Sequence, residues 1–176
     1  PSAGFGDINT KDDMTDIEVA TLGYGYGLTA SPFQIAQAYA VFANEGIYHD
    51  YQLVLDEMSS QYFEPIISKQ TADDVLTALY SVTTDGTGKL ANVRGFTIAG
   101  KTGTTEKLQG GNYKSSTYTS SFVGIGPDQG NTITIFVNID NLGANRYSGG
   151  QVAAPLFQKI ATDVYAYLGY FEDNDI

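Results

Sequence analysis

The stretch Gly95-Phe96-Thr97-Ile98-Ala99-Gly100-Lys101-Thr102-Gly103-Thr104 decides how this chain is read. Its first eight residues match the phosphate-binding pattern G-x4-G-K-T letter for letter. Downstream, Ile135-Phe136-Val137-Asn138-Ile139-Asp140 resembles an apolar strand ending in a magnesium-binding aspartate. A P-loop nucleotide hydrolase is therefore one reading, and the context opposes it. A phosphate loop follows a strand, and Asn92-Val93-Arg94 makes a poor one. It needs a flexible loop between its glycines, and Phe96–Ala99 is β-prone. It needs a helix opening at Lys-Thr, so that helix N–H groups meet phosphate. Gly103-Thr104-Thr105 and then Gly110-Gly111 follow instead. The other reading makes Phe96–Ala99 a strand, with Lys101–Thr104 finishing it at a sheet edge.

Working outward, the flanks support a mixture of helices and strands. Residues 1–30 are Gly-rich and irregular. Their Gly23–Gly27 cluster is read as a turn, since it lacks the later glycine of a dinucleotide loop. Ser31, Pro32 and Gln34 have the order of an N-cap, a first helical residue and a capping-box partner. The helix they open is apolar nearly all round through Phe42 and Ala43, which predicts a central, buried helix stopping at Gly46. Residues 47–66 give no clear reading. A second helix is expected from about Thr71, with Asp73 and Asp74 in its first turn and Val75, Leu79 and Val82 at helical spacing. Asp85–Gly88 breaks it. After the central stretch, Tyr118–Ile125 and Thr132–Ile139 read as strands joined by the turn Pro127–Asn131, hence antiparallel. Gly149-Gly150 leads into a last helix, with an apolar stripe at Leu156, Ile160, Val164 and Leu168 and a stop at Gly169. Helices, then strands, then a helix point to an α+β fold.

Composition narrows the function. The 176 residues suit one domain, and 20 acids against 9 bases give a net charge of −11. That balance argues against a nucleic-acid partner. No cysteine and a single histidine, His49, argue against a metal centre. No apolar run reaches the roughly 20 residues of a membrane span. Charge is uneven: residues 86–127 hold Lys89, Arg94, Lys101, Lys107 and Lys114 against one acid, Glu106. A cationic island in an acidic protein concentrates anions locally.

Lys101-Thr102-Gly103 is also the third signature of penicillin-binding proteins and serine β-lactamases. Other blocks agree in order. Asp16–Leu22 leads into Gly25–Leu28, and Ser31–Ala36 into Ala38–Ala40. Gly86-Thr87-Gly88 precedes Ala99–Thr104, Ser121–Gly124 follows, and Gly149-Gly150 with Ala153–Phe157 comes last. The chain thus resembles the C-terminal part of the transpeptidase domain of class B penicillin-binding proteins, most like the division-specific type. The resemblance implies a β-lactamase/transpeptidase-like α+β fold. Residues 1–176 would supply three antiparallel strands, the C-terminal helix and part of an all-helical subdomain. It implies a serine D,D-transpeptidase that cross-links peptidoglycan stem peptides ending in D-Ala-D-Ala, takes β-lactam antibiotics and uses no cofactor.

By that resemblance, Lys101 brings positive charge beside the serine of an S-x-N motif. The Thr102 and Thr104 hydroxyls hold the substrate carboxylate. The Thr104 N–H forms half of an oxyanion hole, and Gly103 lets backbone and ligand approach closely. Tyr113 and Tyr118 are candidates for the groove wall, while Gly149 and Gly150 are read as helix-entry residues. One departure is clear: no serine has Lys three positions on, and none has Asn two positions on. The S-x-x-K nucleophile and S-x-N are expected upstream of Pro1, and the chain alone is expected to be inactive. A non-catalytic penicillin-binding-like module is the remaining alternative. The resemblance further implies divisome partners and a periplasmic position, anchored by an N-terminal membrane helix outside this sequence. A family strand missing here would pair beside Thr132–Ile139, so that edge is expected to be uncovered and prone to self-association.

Overall fold

The computed structural model describes residues 6, 14–25, 27–50, 62–107, 117–127 and 132–170. Tyr113, Lys114 and most of the Pro127–Asn131 turn lie outside the described residues. The chain divides into two units, Pro1–Ile35 and Ala36–Ile176.

In the first unit, α1 (Asp16–Leu22) opens on a reciprocal cap. The Thr15 N–H donates to Glu18 Oε2 at 2.7 Å, and the Glu18 N–H to Thr15 Oγ1 at 3.4 Å. Helix α2 (Pro32–Ala43) starts in this unit with the expected capping box. The Ser31 N–H donates to Gln34 Oε1 at 2.8 Å, and the Gln34 N–H to Ser31 Oγ at 3.3 Å. The expectation of a fully buried helix is not met: Val41 alone is buried along α2, and Phe33 is half exposed.

The second unit holds the rest. Strands β1 (Ile47–His49) and β2 (Phe63–Pro65) form a small antiparallel pair. Helix α3 (Lys69–Thr84) begins two residues before the expected start, because the Ser68 side chain accepts from the Thr71 N–H. Asp73 and Asp74 consequently fall in its second turn, and its first turn holds no acid. A single 3-10 turn, Lys89–Ala91, follows the Asp85–Gly88 break.

Three strands then form an antiparallel sheet in sequence order: β3 (Ala99–Glu106), β4 (Thr117–Gly126) and β5 (Ile133–Gly143). The first strand differs from the expectation. Phe96–Ile98 lies outside it, and Lys101–Thr104 is its middle rather than its end. What makes Gly100–Thr105 a strand is a full run of β4 partners, from Ala99↔Ile125 to Glu106↔Tyr118. That tertiary pairing overrides weak local propensity.

The sheet is covered on both faces. On one, Leu79 of α3 packs with Ala99 and Ile125, and the buried Thr83 hydroxyl donates to the Ile98 carbonyl. On the other lies α4 (Ala153–Tyr167). Its buried stripe is Phe157, Ala161 and Tyr165, one residue on from the stripe read in the sequence. Leu156 and Ile160 are instead 39% and 36% exposed, and Leu168 50%. The reason is shape. The Phe157 ring lies 4.9 Å from that of Phe122 and fills the space where a Gly124 side chain would stand. Burying one such ring contributes about 2–3 kcal/mol. Gly169 ends the helix at φ 77°, with the Tyr170 N–H returning to the Tyr165 carbonyl at 2.9 Å.

Candidate functional site

Strand β3 is an edge of its sheet, bonded to β4 on one side and to no other strand among the described residues. Its hydrogen-bond parity follows from one contact. The Lys107 N–H donates to the Thr117 carbonyl at 2.9 Å, continuing the β3–β4 register. In an antiparallel ladder the bonded pairs alternate. Thr105, Gly103 and Lys101 therefore bond inward to β4. The N–H and C=O groups of Thr102, Thr104 and Glu106 point outward, to the free edge. The Thr104 N–H is thus available as a donor for a developing oxyanion.

Side chains alternate as well. Thr102, Thr104 and Glu106 share the α4 face of the sheet, opposite Phe122, Ser120 and Tyr118 in β4. Lys101 lies on the other face. Its ammonium turns to the free edge and donates to the Thr102 carbonyl at 3.0 Å. Among the described residues no carboxylate is within ion-pair distance of it.

A cleft of about 400 Å³ opens beside Thr102 and Thr104. Thr87, Lys89 and Leu90 form one wall, and Ser148–Gln151 the other. The two threonine hydroxyls are each held from behind. Thr87 Oγ1 and Thr102 Oγ1 are 2.9 Å apart. The Gly149 N–H donates to Thr104 Oγ1 at 3.0 Å. An oxygen that already accepts from an N–H keeps its own proton to donate. Thr104 is therefore set to donate into the cleft, and Thr102 is set likewise whenever Thr87 donates to it. Two hydroxyl donors, two residues apart on one face, suit a carboxylate.

Gly149 and Gly150 do more than enter the helix. A Cβ on Gly149 would stand 2.6 Å from the Gly103 and Ser121 carbonyl oxygens. Only glycine lets this turn lie flat on the strand pair and reach Thr104. Thr87, Gly149 and Gly150 were not singled out for a site role by spacing or composition. Their one signal was membership in blocks that recur with Lys101–Thr104.

Tyr118 does not line the cleft. It sits on β4 opposite Glu106 and stacks on Tyr147, with ring centroids 3.9 Å apart and planes at 18°. Its phenol is held above the ordinary range, first by loss of water and then by the charges of Glu106 and Tyr147. The structure thus brings Thr102, Thr104 and the Thr104 N–H together, sets Lys101 at the same edge from the opposite face, and leaves Tyr118 further along β3. The phosphate-loop reading fails, because Lys101 and Thr102 lie inside a strand with no helix starting there.

Comparison with known proteins agrees with this geometry. Residues 1–162 match the family described as the penicillin binding protein transpeptidase domain. The chain is 36% identical over 158 residues to the probable peptidoglycan D,D-transpeptidase PenA of Neisseria flavescens, covering 87% of this chain and 38% of that protein. It superposes on the transpeptidase domain of Burkholderia pseudomallei penicillin-binding protein 3 with a TM-score of 0.86 and 32% identity, covering 99% of this chain and 55% of that one. For penicillin-binding protein 3 of Mycobacterium tuberculosis, complexed with ampicillin, the TM-score is 0.79 and the identity 26%, over 97% of this chain and 42% of that one. The chain spans well under half the length of the curated relative. With its fold, its Lys-Thr-Gly edge strand and a family match over residues 1–162, the chain belongs to the penicillin-binding protein transpeptidase domain family.

Proposed function

We propose that this chain supplies the carboxylate-holding wall of a serine D,D-transpeptidase that cross-links peptidoglycan stem peptides in cell-wall synthesis. The observation that carries the reading is the convergence at Thr104. Its N–H points out of the sheet, and its hydroxyl is held as a donor by Gly149. A peptide ending in D-Ala-D-Ala adds to the β3 edge as an extended strand. Its terminal carboxylate takes the Thr102 and Thr104 hydroxyls, and its scissile carbonyl takes the Thr104 N–H. A serine nucleophile attacks that carbonyl, the peptide C–N bond breaks, and terminal D-Ala leaves as the amine. A second stem's amine then displaces the serine. Lys101, at the same edge, favours anions there and steadies the serine of an S-x-N motif. A β-lactam enters by the same contacts, its ring carbonyl in place of the scissile one.

No serine here stands in S-x-x-K or S-x-N, so this reading takes nucleophile and base from sequence beyond residues 1–176. The same reading puts the domain on the periplasmic side of the inner membrane, held by a helix outside this sequence and working with divisome proteins. No helix among the described residues is long and apolar enough to cross a membrane. Incubation of the full-length protein with a labelled penicillin, followed by mass spectrometry, tests the assignment. A covalent serine adduct on the full-length protein, and none on residues 1–176 alone, is expected. No adduct on the full-length protein would leave a non-catalytic module.

A further inference from the structure

The two hydroxyls of the cleft are backed by groups of different kinds. Behind Thr104 stands the Gly149 N–H, at 3.0 Å, which can only donate. Behind Thr102 stands a second hydroxyl, that of Thr87, at 2.9 Å. A hydroxyl both donates and accepts, so this bond can run in either direction. The direction decides what Thr102 offers. If Thr102 donates to Thr87, its proton turns away from the cleft and its lone pairs face the ligand. If Thr87 donates, Thr102 keeps its own proton for the ligand.

A carboxylate selects the second order, because it only accepts. A chain running from Thr87 through Thr102 to the carboxylate gives Thr102 a donor behind and an acceptor in front. Hydrogen bonds in such a chain polarise one another, and the bond to the charged end is the strong one. The opposite order sets the Thr102 lone pairs against the negative charge.

The position of Thr87 is fixed by its surroundings. It sits in the turn Asp85–Gly88, tied back to the end of α3. The Gly86 N–H donates to the Ser81 carbonyl and the Gly88 N–H to the Val82 carbonyl, each at 2.9 Å. A Cβ on Gly88 would stand 3.0 Å from the Phe122 ring, so the turn lies close on β4. From the other side Gly150 lies against the Thr87 carbonyl, where a Cβ would not fit. The turn is thus held by α3, by the sheet and by the loop that leads into α4. A side chain carried on so constrained a backbone can orient a neighbour with little loss of freedom.

We propose that Thr87 is a positioning residue that acts through Thr102, donating to its hydroxyl and so committing the Thr102 proton to the carboxylate of a bound ligand. Gly149 holds its threonine in one state at all times. Thr87 holds its partner in that state once an anion arrives. This inference rests on the proposed transpeptidase reading and assigns the group that orients half of its carboxylate site.

The test uses the full-length protein with benzylpenicillin and with its methyl ester, which carries no charge at that group. Adduct formation followed by mass spectrometry over a range of concentrations separates the dissociation constant of the first complex from the acylation rate at saturation. Thr87→Val removes the hydroxyl and keeps the side chain's shape. It should raise the benzylpenicillin dissociation constant roughly three- to tenfold, the share of a charge-assisted bond that the hydroxyl behind it supports, and leave the saturated rate within about twofold. The ester should weaken by about twofold or less, since a neutral acceptor gains less from the chain. Thr87→Ser should recover most of the loss. An equal loss on acid and ester, a loss confined to the saturated rate, or a Thr87→Ser variant no better than Thr87→Val overturns the inference while leaving the transpeptidase reading intact. Absence of any adduct on the unmodified full-length protein overturns both.

Discussion

The sheet has two edges without a strand partner among the described residues, and they are built from opposite chemistry. The β3 edge is Gly100, Lys101, Thr102, Gly103, Thr104 and Thr105: small, hydroxylated and cationic. The β5 edge runs Ile133-Thr134-Ile135-Phe136-Val137, apolar and β-branched. Backbone donors and acceptors line both. Side chains decide what each accepts. An apolar edge gains by pairing with another strand and burying its flanks. An edge of Gly and Thr offers little to bury, so its unpaired N–H groups stay open to a small polar ligand. On the proposed function, the difference separates a structural edge from a binding edge within one three-stranded sheet.

The sharpest way to break this comparison is to remove the outward N–H of β3. Proline lacks that donor, and an edge strand tolerates it where the N–H faces away from the ladder. Thr104→Pro in the full-length protein should therefore keep its fold. Penicillin acylation should fall by about 10²–10³-fold or more, the usual cost of one oxyanion donor with the loss of the Thr104 hydroxyl added, and Thr104→Val, which keeps the N–H, should fall less. Thr105→Pro deletes a ladder bond and should lower the melting temperature instead. Acylation kinetics and circular dichroism on these variants check this. Unfolding by Thr104→Pro with Thr105→Pro tolerated would invert the parity derived from Lys107.

The β5 edge is broken from the other side. Residues 1–176 should self-associate in solution, and two lysines placed on that edge, Thr134→Lys with Asn138→Lys, should weaken association by about tenfold or more through like-charge repulsion. Light scattering across a concentration series reads this directly. A clean monomer of the unmodified chain at high concentration would show that its β-branched edge needs no partner.

How much of this was legible in the sequence divides along the same physical line. Caps are local chemistry, so Ser31–Gln34 and the Gly169 stop read correctly from neighbours alone. The range of β3 did not, because Gly100, Gly103 and three threonines become strand only through partners on β4, about twenty residues away. The α4 stripe was misplaced by one residue for a similar reason. Leu156–Ile160–Val164 and Phe157–Ala161–Tyr165 are both apolar rows, and only the hollow at Gly124 selects the second. At the site, the residue types that carry charge or a hydroxyl in Lys101–Thr104 were readable as a motif. The groups that orient them were not. Thr87 meets Thr102 across fifteen residues, and Gly149 meets Thr104 across forty-five. No periodicity in a sequence encodes such contacts.

The last contrast is between the two lysines of this strand region. Lys101 has no carboxylate partner among the described residues, which suits the ligand-edge role proposed for it. Lys107, just past β3, is spent on structure. Its ammonium meets Asp140 Oδ2 at 2.7 Å, while the Thr119 hydroxyl donates to Asp140 Oδ1 at 2.7 Å, so the contact joins all three strands. The Lys107 ammonium first, and the Thr119 hydroxyl second, pull the Asp140 carboxyl down to about 2. A carboxyl whose folded value is depressed contributes stability that is complete above its unfolded value, near 3.9, and is lost as pH falls through the folded one. The contribution should therefore vanish between about pH 4 and pH 2. Asp140→Asn should lower the melting temperature slightly at pH 7 and flatten its acid limb in that window, with added salt shrinking the difference because the pair is exposed. Melting curves from pH 2 to 7 check it. A Lys101→Met variant under the same titration should leave the acid limb unchanged, since no described carboxylate depends on that ammonium. An equal flattening by both variants would mean that the edge lysine is structural after all.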